Sequence, residues 1–136
     1  MKDIKPAVLF VDDEDRILRA VRRQLGHKFR IHTACGAESG FSALRRLEDV
    51  AVVVVDYRMP GMNGLEFMAA GRHIRPKALW IMLSGYATED VPLQPEDEQP
   101  VFSFLSKPCP TEQLEQEISA AVQQFCFADE ISDSCQ

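Results

Sequence analysis

The chain has 136 residues, 46% of them hydrophobic, and a formal net charge of −6 at pH 7. This length predicts a single domain, and the acidic balance argues against nucleic acid as its main partner. No apolar run approaches the ~18 residues that a membrane span needs, so we expect no membrane partner. The first residues lack the apolar segment of a signal peptide, and the cysteines lack zinc-site spacing. We therefore expect a cytoplasmic protein with reduced thiols.

Short apolar runs alternate with segments of helical periodicity, which predicts βα units around a parallel sheet. In chain order, the predicted elements are a strand over 7–11, a helix over 14–26, a strand over 29–33, a helix over 39–49, a strand over 51–55, a helix over 64–74, strands over 78–83 and 101–105, and a helix capped by Thr111. Ile17, Val21 and Leu25 are expected on the buried face of the first helix, with Leu18 beside them. Asn63 is expected to cap the third.

Prolines interrupt the segment between the fourth and fifth predicted strands. Pro92, Pro95 and Pro100 fall where a crossover helix is expected, and an interior proline costs a helix about 3 kcal/mol. We therefore predict an irregular or shortened fourth helix near residues 88–98. The domain is expected to cover residues 6–125, with 126–136 as a C-terminal tail that frays from Asp129.

Two of the apolar runs end on carboxylates, the first at Asp12 and Asp13 and the other at Asp56. The predicted fold is α/β and doubly wound, with five parallel strands in the order 2-1-3-4-5. This order makes strands one and three neighbours whose carboxyl ends flank the ligand-binding edge. Three carboxylates this close repel one another unless a cation neutralises them, and oxygen ligands favour Mg²⁺ or Mn²⁺. The sequence therefore predicts a divalent-cation site at this edge.

Ser84 and Lys107 follow two further predicted strands and belong to the same edge. Acids with a metal, a hydroxyl and an ammonium group suit phosphoryl transfer to a carboxylate, because the cations offset the phosphoryl charge. Asp56, directly after the central run, is the best-placed nucleophile and would form an acyl phosphate. Simpler explanations remain open at this point. The first two acids can cap a helix, Asp56 can begin a turn, Ser84 and Gly85 can form an ordinary loop, and Lys107 can be a surface charge.

Four motifs in this order resemble the receiver domain of two-component response regulators. They are Val11-Asp12-Asp13-Glu14, Val55-Asp56-Tyr57-Arg58-Met59-Pro60-Gly61-Met62-Asn63-Gly64, Leu83-Ser84-Gly85-Tyr86 and Lys107-Pro108. The resemblance covers roughly residues 6–125. It implies a CheY-like fold, a Mg²⁺ (or Mn²⁺) cofactor and often a cis peptide bond before Pro108.

The resemblance also implies a role for each site residue. These roles are phosphoacceptor (Asp56), metal ligands (Asp12, Asp13, Asp56 and the backbone carbonyl of Arg58), switch hydroxyl (Ser84), phosphoryl contact (Lys107), aromatic switch (Phe104) and control of access to the phosphoryl site (Arg58, Gly85, Tyr86). On sequence grounds alone, Phe104 is more often a core residue than a switch.

The implied phosphodonor is a sensor histidine kinase or a phosphotransfer protein that contacts the first helix and the Pro108–Pro110 loop. We expect no output enzyme in this chain, only a signalling domain that acquires and loses its own phosphoryl group. A second reading is a phosphorylation-independent interaction module, a pseudo-receiver, which the proline-broken segment favours. A third is a regulatory fragment of a longer enzyme, for instance one that handles cyclic dinucleotides.

Overall fold

The computed structural model describes residues 6–85 and 101–134, with side chains up to Phe127. Five parallel strands form one sheet in the order β2-β1-β3-β4-β5, as predicted. The elements are β1 (Ala7–Asp12), α1 (Asp15–Leu25), β2 (Arg30–Cys35), α2 (Ala37–Arg46), β3 (Val50–Asp56), α3 (Gly64–Ile74), β4 (Leu79–Ser84), β5 (Val101–Ser106) and α4 (Thr111–Ser134). Among the described residues, no helix has the length and apolar character needed to cross a bilayer.

Among the described residues, two helices pack on each face of the sheet. Residues of α2 and α3 form one core with the sheet, and residues of α1 and α4 form the other. Every residue of β3 is buried, and successive valines of this strand point alternately into the two cores. A continuous β-branched run suits this position, because a central parallel strand has no face exposed to water.

Side chains at two helix ends set where those helices begin or end. Asn63 caps α3, with its side chain accepting a hydrogen bond from the backbone of Glu66 while Glu66 accepts one from the backbone of Asn63. This reciprocal arrangement is a capping box, and it confirms the predicted start of α3. At the C-terminal end of α2, the guanidinium of Arg75 donates hydrogen bonds to the carbonyl oxygens of Leu44, Arg45 and Leu47. These carbonyls would otherwise be left without helix partners.

The structure corrects three of the expectations. Ile17 was expected to be buried but is 37% exposed, whereas Leu18, expected beside it, lies in the core. The last helix runs to Ser134, through the segment expected to be a frayed tail from Asp129. The second helix was expected over 39–49 but spans Ala37–Arg46. The proline-broken segment near 88–98 and Tyr86 lie outside the described residues.

Candidate functional site

Three carboxylates meet at the carboxyl edge of the sheet. Asp12 ends β1, Asp56 ends the neighbouring β3, and Asp13 follows β1 directly. One oxygen from each of the three lies within 4.8 Å of the others. Asp12 and Asp56 are only 3% and 5% exposed, whereas Asp13 is exposed. The group is therefore open to solvent on the side of Asp13 and closed beneath.

Lys107 lies against the two buried acids. Its Nζ is 3.1 Å from Oδ1 of Asp56 and 3.6 Å from Oδ2 of Asp12. The backbone places it there, because the N–H of Lys107 donates a 2.7 Å hydrogen bond to the carbonyl of Ser84 and so extends the pairing of β5 with β4. The peptide bond between Lys107 and Pro108 is cis. The reading of Lys107 as a free surface charge is therefore wrong.

Burial and the opposite charges nearby shift the pKa of each of these groups in opposite directions. Burial raises the pKa of Asp56 above its ordinary value, although the charge of Lys107 and a hydrogen bond from the backbone N–H of Arg58 lower it in part. Burial likewise raises the pKa of Asp12, against a backbone hydrogen bond from Glu14 and the charge of Lys107. For Lys107, burial lowers the pKa, but the charges of Asp56 and Asp12 outweigh it and the pKa is raised. One ammonium thus offsets the charge of the buried acids incompletely.

This donor set fits a hard divalent cation. All three clustered side chains offer carboxylate oxygens, which are the ligands that Mg²⁺ prefers. Burial raises the pKa of Asp12 and Asp56, so their charged forms lack the solvation that water would give, and a cation held by the three carboxylates would replace part of it. The reading of Asp12 as a helix cap accounts for only one of its contacts, the hydrogen bond from Glu14.

The remaining predicted residues surround this centre at varied depths. Ser84 is buried at the end of β4, one residue beyond Leu83, which is the register partner of Asp56. Gly85 follows it and lines a cavity beside Lys107. Phe104 is 49% exposed on β5, so its interpretation as a core residue is wrong. The neighbour of Gly85, Tyr86, is outside the described residues.

The turn between β3 and α3 is closed by backbone hydrogen bonds. The N–H of Tyr57 donates to the carbonyl of Leu83, and the N–H of Gly64 donates to the carbonyl of Tyr57, each at 2.7 Å. Within the turn, the side chain of Met59 is buried in the core shared with α2 and α3. The backbone that follows Asp56 is therefore held at both ends and in the middle.

Sequence reasoning missed a cavity of about 540 Å³ beside Lys107. It lies between α1, the loop after β5 and the start of α4, and Ile17, Cys109 and Leu114 are among its lining residues. The signal that could have revealed it is the position of Ile17 at the edge of the apolar stripe of α1. Leu18, ~100° further round the helix, lies on the side of Val21 and Leu25 and is buried with them.

Two curated regulators are similar to this chain over most of its length. The hydrogenase transcriptional regulatory protein HoxA of Cupriavidus necator is 33% identical over 123 residues, an alignment that covers 90% of this chain and 25% of HoxA. The transcriptional regulatory protein GlrR of Escherichia coli is 34% identical over 123 residues, covering 88% of this chain and 27% of GlrR. The chain therefore spans about a quarter of the length of these relatives.

The fold is also found among solved structures. A crystal structure titled as an adenylate cyclase from Rhodopirellula baltica superposes with a TM-score of 0.90 and 27% identity, covering 97% of this chain and 98% of that one. The family model of the response regulator receiver domain matches residues 8–119, which include the three clustered acids, Ser84 and Lys107. On this match and on the geometry of the acidic edge, the chain belongs to the response regulator receiver domain family of two-component systems.

Proposed function

We propose that this chain accepts a phosphoryl group on Asp56 from a histidine of a sensor kinase or phosphotransfer protein. The observation that carries the proposal is the position of Lys107, whose Nζ is 3.1 Å from Asp56 and 3.6 Å from Asp12, two acids that cluster with the exposed Asp13. A buried carboxylate that ends a central strand and lies against an ammonium group has no evident structural purpose, since an apolar pair would stabilise the core as well or better.

In the proposed reaction, an oxygen of Asp56 attacks the phosphorus of phosphohistidine. An O–P bond forms, the P–N bond breaks, and its electron pair stays on the imidazole nitrogen, which takes a proton from solvent. Lys107 contacts the phosphoryl oxygens and offsets their charge. Mg²⁺, held by Asp12, Asp13, Asp56 and the backbone carbonyl of Arg58, would supply further positive charge when bound.

We assign the remaining roles by family resemblance. Ser84 is the switch hydroxyl, Phe104 the aromatic switch residue, and Gly85 with Tyr86 controls access to the phosphoryl site. We expect the phosphodonor to contact α1 and the Pro108–Pro110 loop. The exposed Ile17 and the cavity beside Lys107 support that surface, because an apolar side chain of the donor could enter there.

The test uses the two acids at opposite ends of β3. Wild type, Asp56→Asn and Asp49→Asn are each incubated with acetyl phosphate and Mg²⁺, and intact mass is measured. Asp49 precedes β3 and forms an exposed ion pair with Arg30, so its variant is the matched control. We expect one added phosphoryl group on wild type and Asp49→Asn, none on Asp56→Asn, and none on wild type with EDTA.

The pseudo-receiver reading makes the opposite prediction. If wild type gains no phosphoryl group, and beryllofluoride with Mg²⁺ does not raise its melting temperature, the phosphoacceptor proposal is wrong. A binding module that does not depend on phosphorylation would then be the better account of the fold.

A further inference from the structure

Gly64 occupies the most constrained position next to Asp56. It is the first residue of α3 and is buried. A Cβ built on it would lie 2.6 Å from Sδ of Met82, 2.8 Å from the backbone oxygen of Asp56 and 3.0 Å from Cα of Tyr57. Gly64 is not among the described glycines with positive φ. Glycine is therefore needed here because there is no room for a side chain, and not because the backbone adopts an unusual conformation.

The neighbours of that missing side chain differ in how easily they can move. Sδ of Met82 belongs to a flexible side chain that can change rotamer. The oxygen of Asp56 belongs to the backbone of a fully buried central strand, which lies between β1 and β4. A methyl group at position 64 must therefore displace either the start of α3 or the backbone of Asp56.

The start of α3 is poorly able to give way. The capping box of Asn63 and Glu66 holds its first turn, and the hydrogen bond from Gly64 to Tyr57 ties it to the end of β3. The side chains of Phe67 and Met68, on the next turn, are buried in the core. Both sides of the contact are therefore constrained, and the part of the crowding that falls on β3 falls on Asp56, whose carboxylate accepts hydrogen bonds from Lys107 and from the N–H of Arg58.

We propose that Gly64 is a positioning residue for the phosphoacceptor. Its lack of a side chain lets α3 begin directly against the backbone oxygen of Asp56, and this close approach sets the carboxylate of Asp56 relative to Asp12, Asp13 and Lys107. The inference rests on the proposed function, since it concerns the same site. It adds a residue that offers no ligand atom of its own but determines where a ligand atom lies.

The experiment compares two alanine substitutions in the same helix, Gly64→Ala and Gly71→Ala. Gly71 is equally crowded, because its Cβ would lie 2.7 Å and 3.2 Å from atoms of the Trp80 ring and 3.0 Å from Cδ1 of Leu44. Those neighbours are side chains only, away from the acidic edge. Alanine favours helix over glycine, so any loss of stability in either variant comes from crowding.

Mg²⁺ affinity, measured by titration calorimetry on folded protein, separates the two effects. We expect both variants to melt at a lower temperature than wild type. Only Gly64→Ala should bind Mg²⁺ more weakly than wild type, by about tenfold or more, which is the loss seen when groups that orient metal ligands are removed. It should also accept a phosphoryl group from acetyl phosphate more slowly than wild type. Gly71→Ala should stay within about twofold of wild type in Mg²⁺ affinity.

The double variant Gly64→Ala/Met82→Val tests which contact causes the effect and serves if the single variant does not fold, because valine suits a buried strand and lacks the Sδ atom. Removing Sδ of Met82 relieves one contact but leaves the Asp56 oxygen crowded, so Mg²⁺ binding should stay weak even where stability recovers. Recovery of Mg²⁺ affinity in this variant, or an equal loss in Gly71→Ala, would overturn the inference. Lack of Mg²⁺ binding by wild type itself would instead overturn the proposed function, and the inference with it.

Discussion

Replacement of Lys107 by methionine tests whether its ammonium group compensates the buried acids. The Nζ of Lys107 lies 3.1 Å from a carboxylate oxygen of Asp56 and 3.6 Å from one of Asp12. Each of these attractions amounts to about 5 kcal/mol at an effective dielectric constant of ~20, before the cost of desolvating the groups is subtracted. Breaking a fully buried pair costs roughly 3–5 kcal/mol. The side chain of Lys107 is 26% exposed, so we expect a smaller loss, about 2 kcal/mol in the free energy of unfolding of the metal-free protein. That is about 8 °C in melting temperature for a domain of this size.

The pH dependence of this loss identifies its cause. Because burial raises the pKa of Asp12 and Asp56 in the folded state, the folded protein binds these protons more tightly than the unfolded chain does. Their contribution to stability therefore falls as pH rises from the ordinary carboxyl value through the raised ones. Without Lys107 this fall in stability should be steeper. The free energies of unfolding of the variant and wild type should therefore differ strongly at about pH 7 and less at about pH 5.

The assay is thermal unfolding in EDTA at several pH values, with Lys28→Met as the control. Lys28 pairs with Glu115 on the surface, where an ion pair contributes about 1 kcal/mol or less. Its variant should show a small loss that does not shrink in the same way. A Lys107→Met protein as stable as wild type near neutral pH, or a loss that does not change with pH, would show that the buried acids are not ionised beside Lys107.

Two further substitutions follow from the same contacts. Asp12→Asn removes a buried carboxyl group whose pKa is raised, so it should increase the melting temperature of the metal-free protein near neutral pH while weakening Mg²⁺ binding. The control is Asp49→Asn, which removes a carboxyl group whose pKa is lowered by the hydrogen bond from Arg30 and should not increase the melting temperature. Arg75→Ala removes the donors to three carbonyl oxygens at the end of α2 and should lower the free energy of unfolding by about 1–3 kcal/mol, measured by urea denaturation. The exposed Arg72→Ala on the neighbouring helix should change it by less than about 0.5 kcal/mol, and an equal effect of the two arginines would contradict the capping role.

Much of the candidate site could be predicted because strand ends are visible in the sequence. A run of β-branched residues that stops at an acid marks both a buried strand and its exposed end, which is how Asp12 and Asp56 were placed at one edge. The start of α3 was equally predictable, since Asn63 and Glu66 form their capping box within four residues. Interactions between residues near in sequence, or between ends of adjacent strands, follow from pattern alone.

Other features depend on distances that no pattern contains. The sequence by itself determined the doubly wound sheet and the gathering of acids at its edge, because hydrophobic periodicity and the position of charges are properties of the chain. Only the tertiary structure decided that Ile17 faces a cavity while Leu18 fills the core, that Lys107 reaches both buried acids, and that Gly64 has no room for a methyl group. Helical periodicity leaves the rotation of a helix uncertain by one residue, and the closeness of side chains from separate elements is set by packing to within tenths of an ångström.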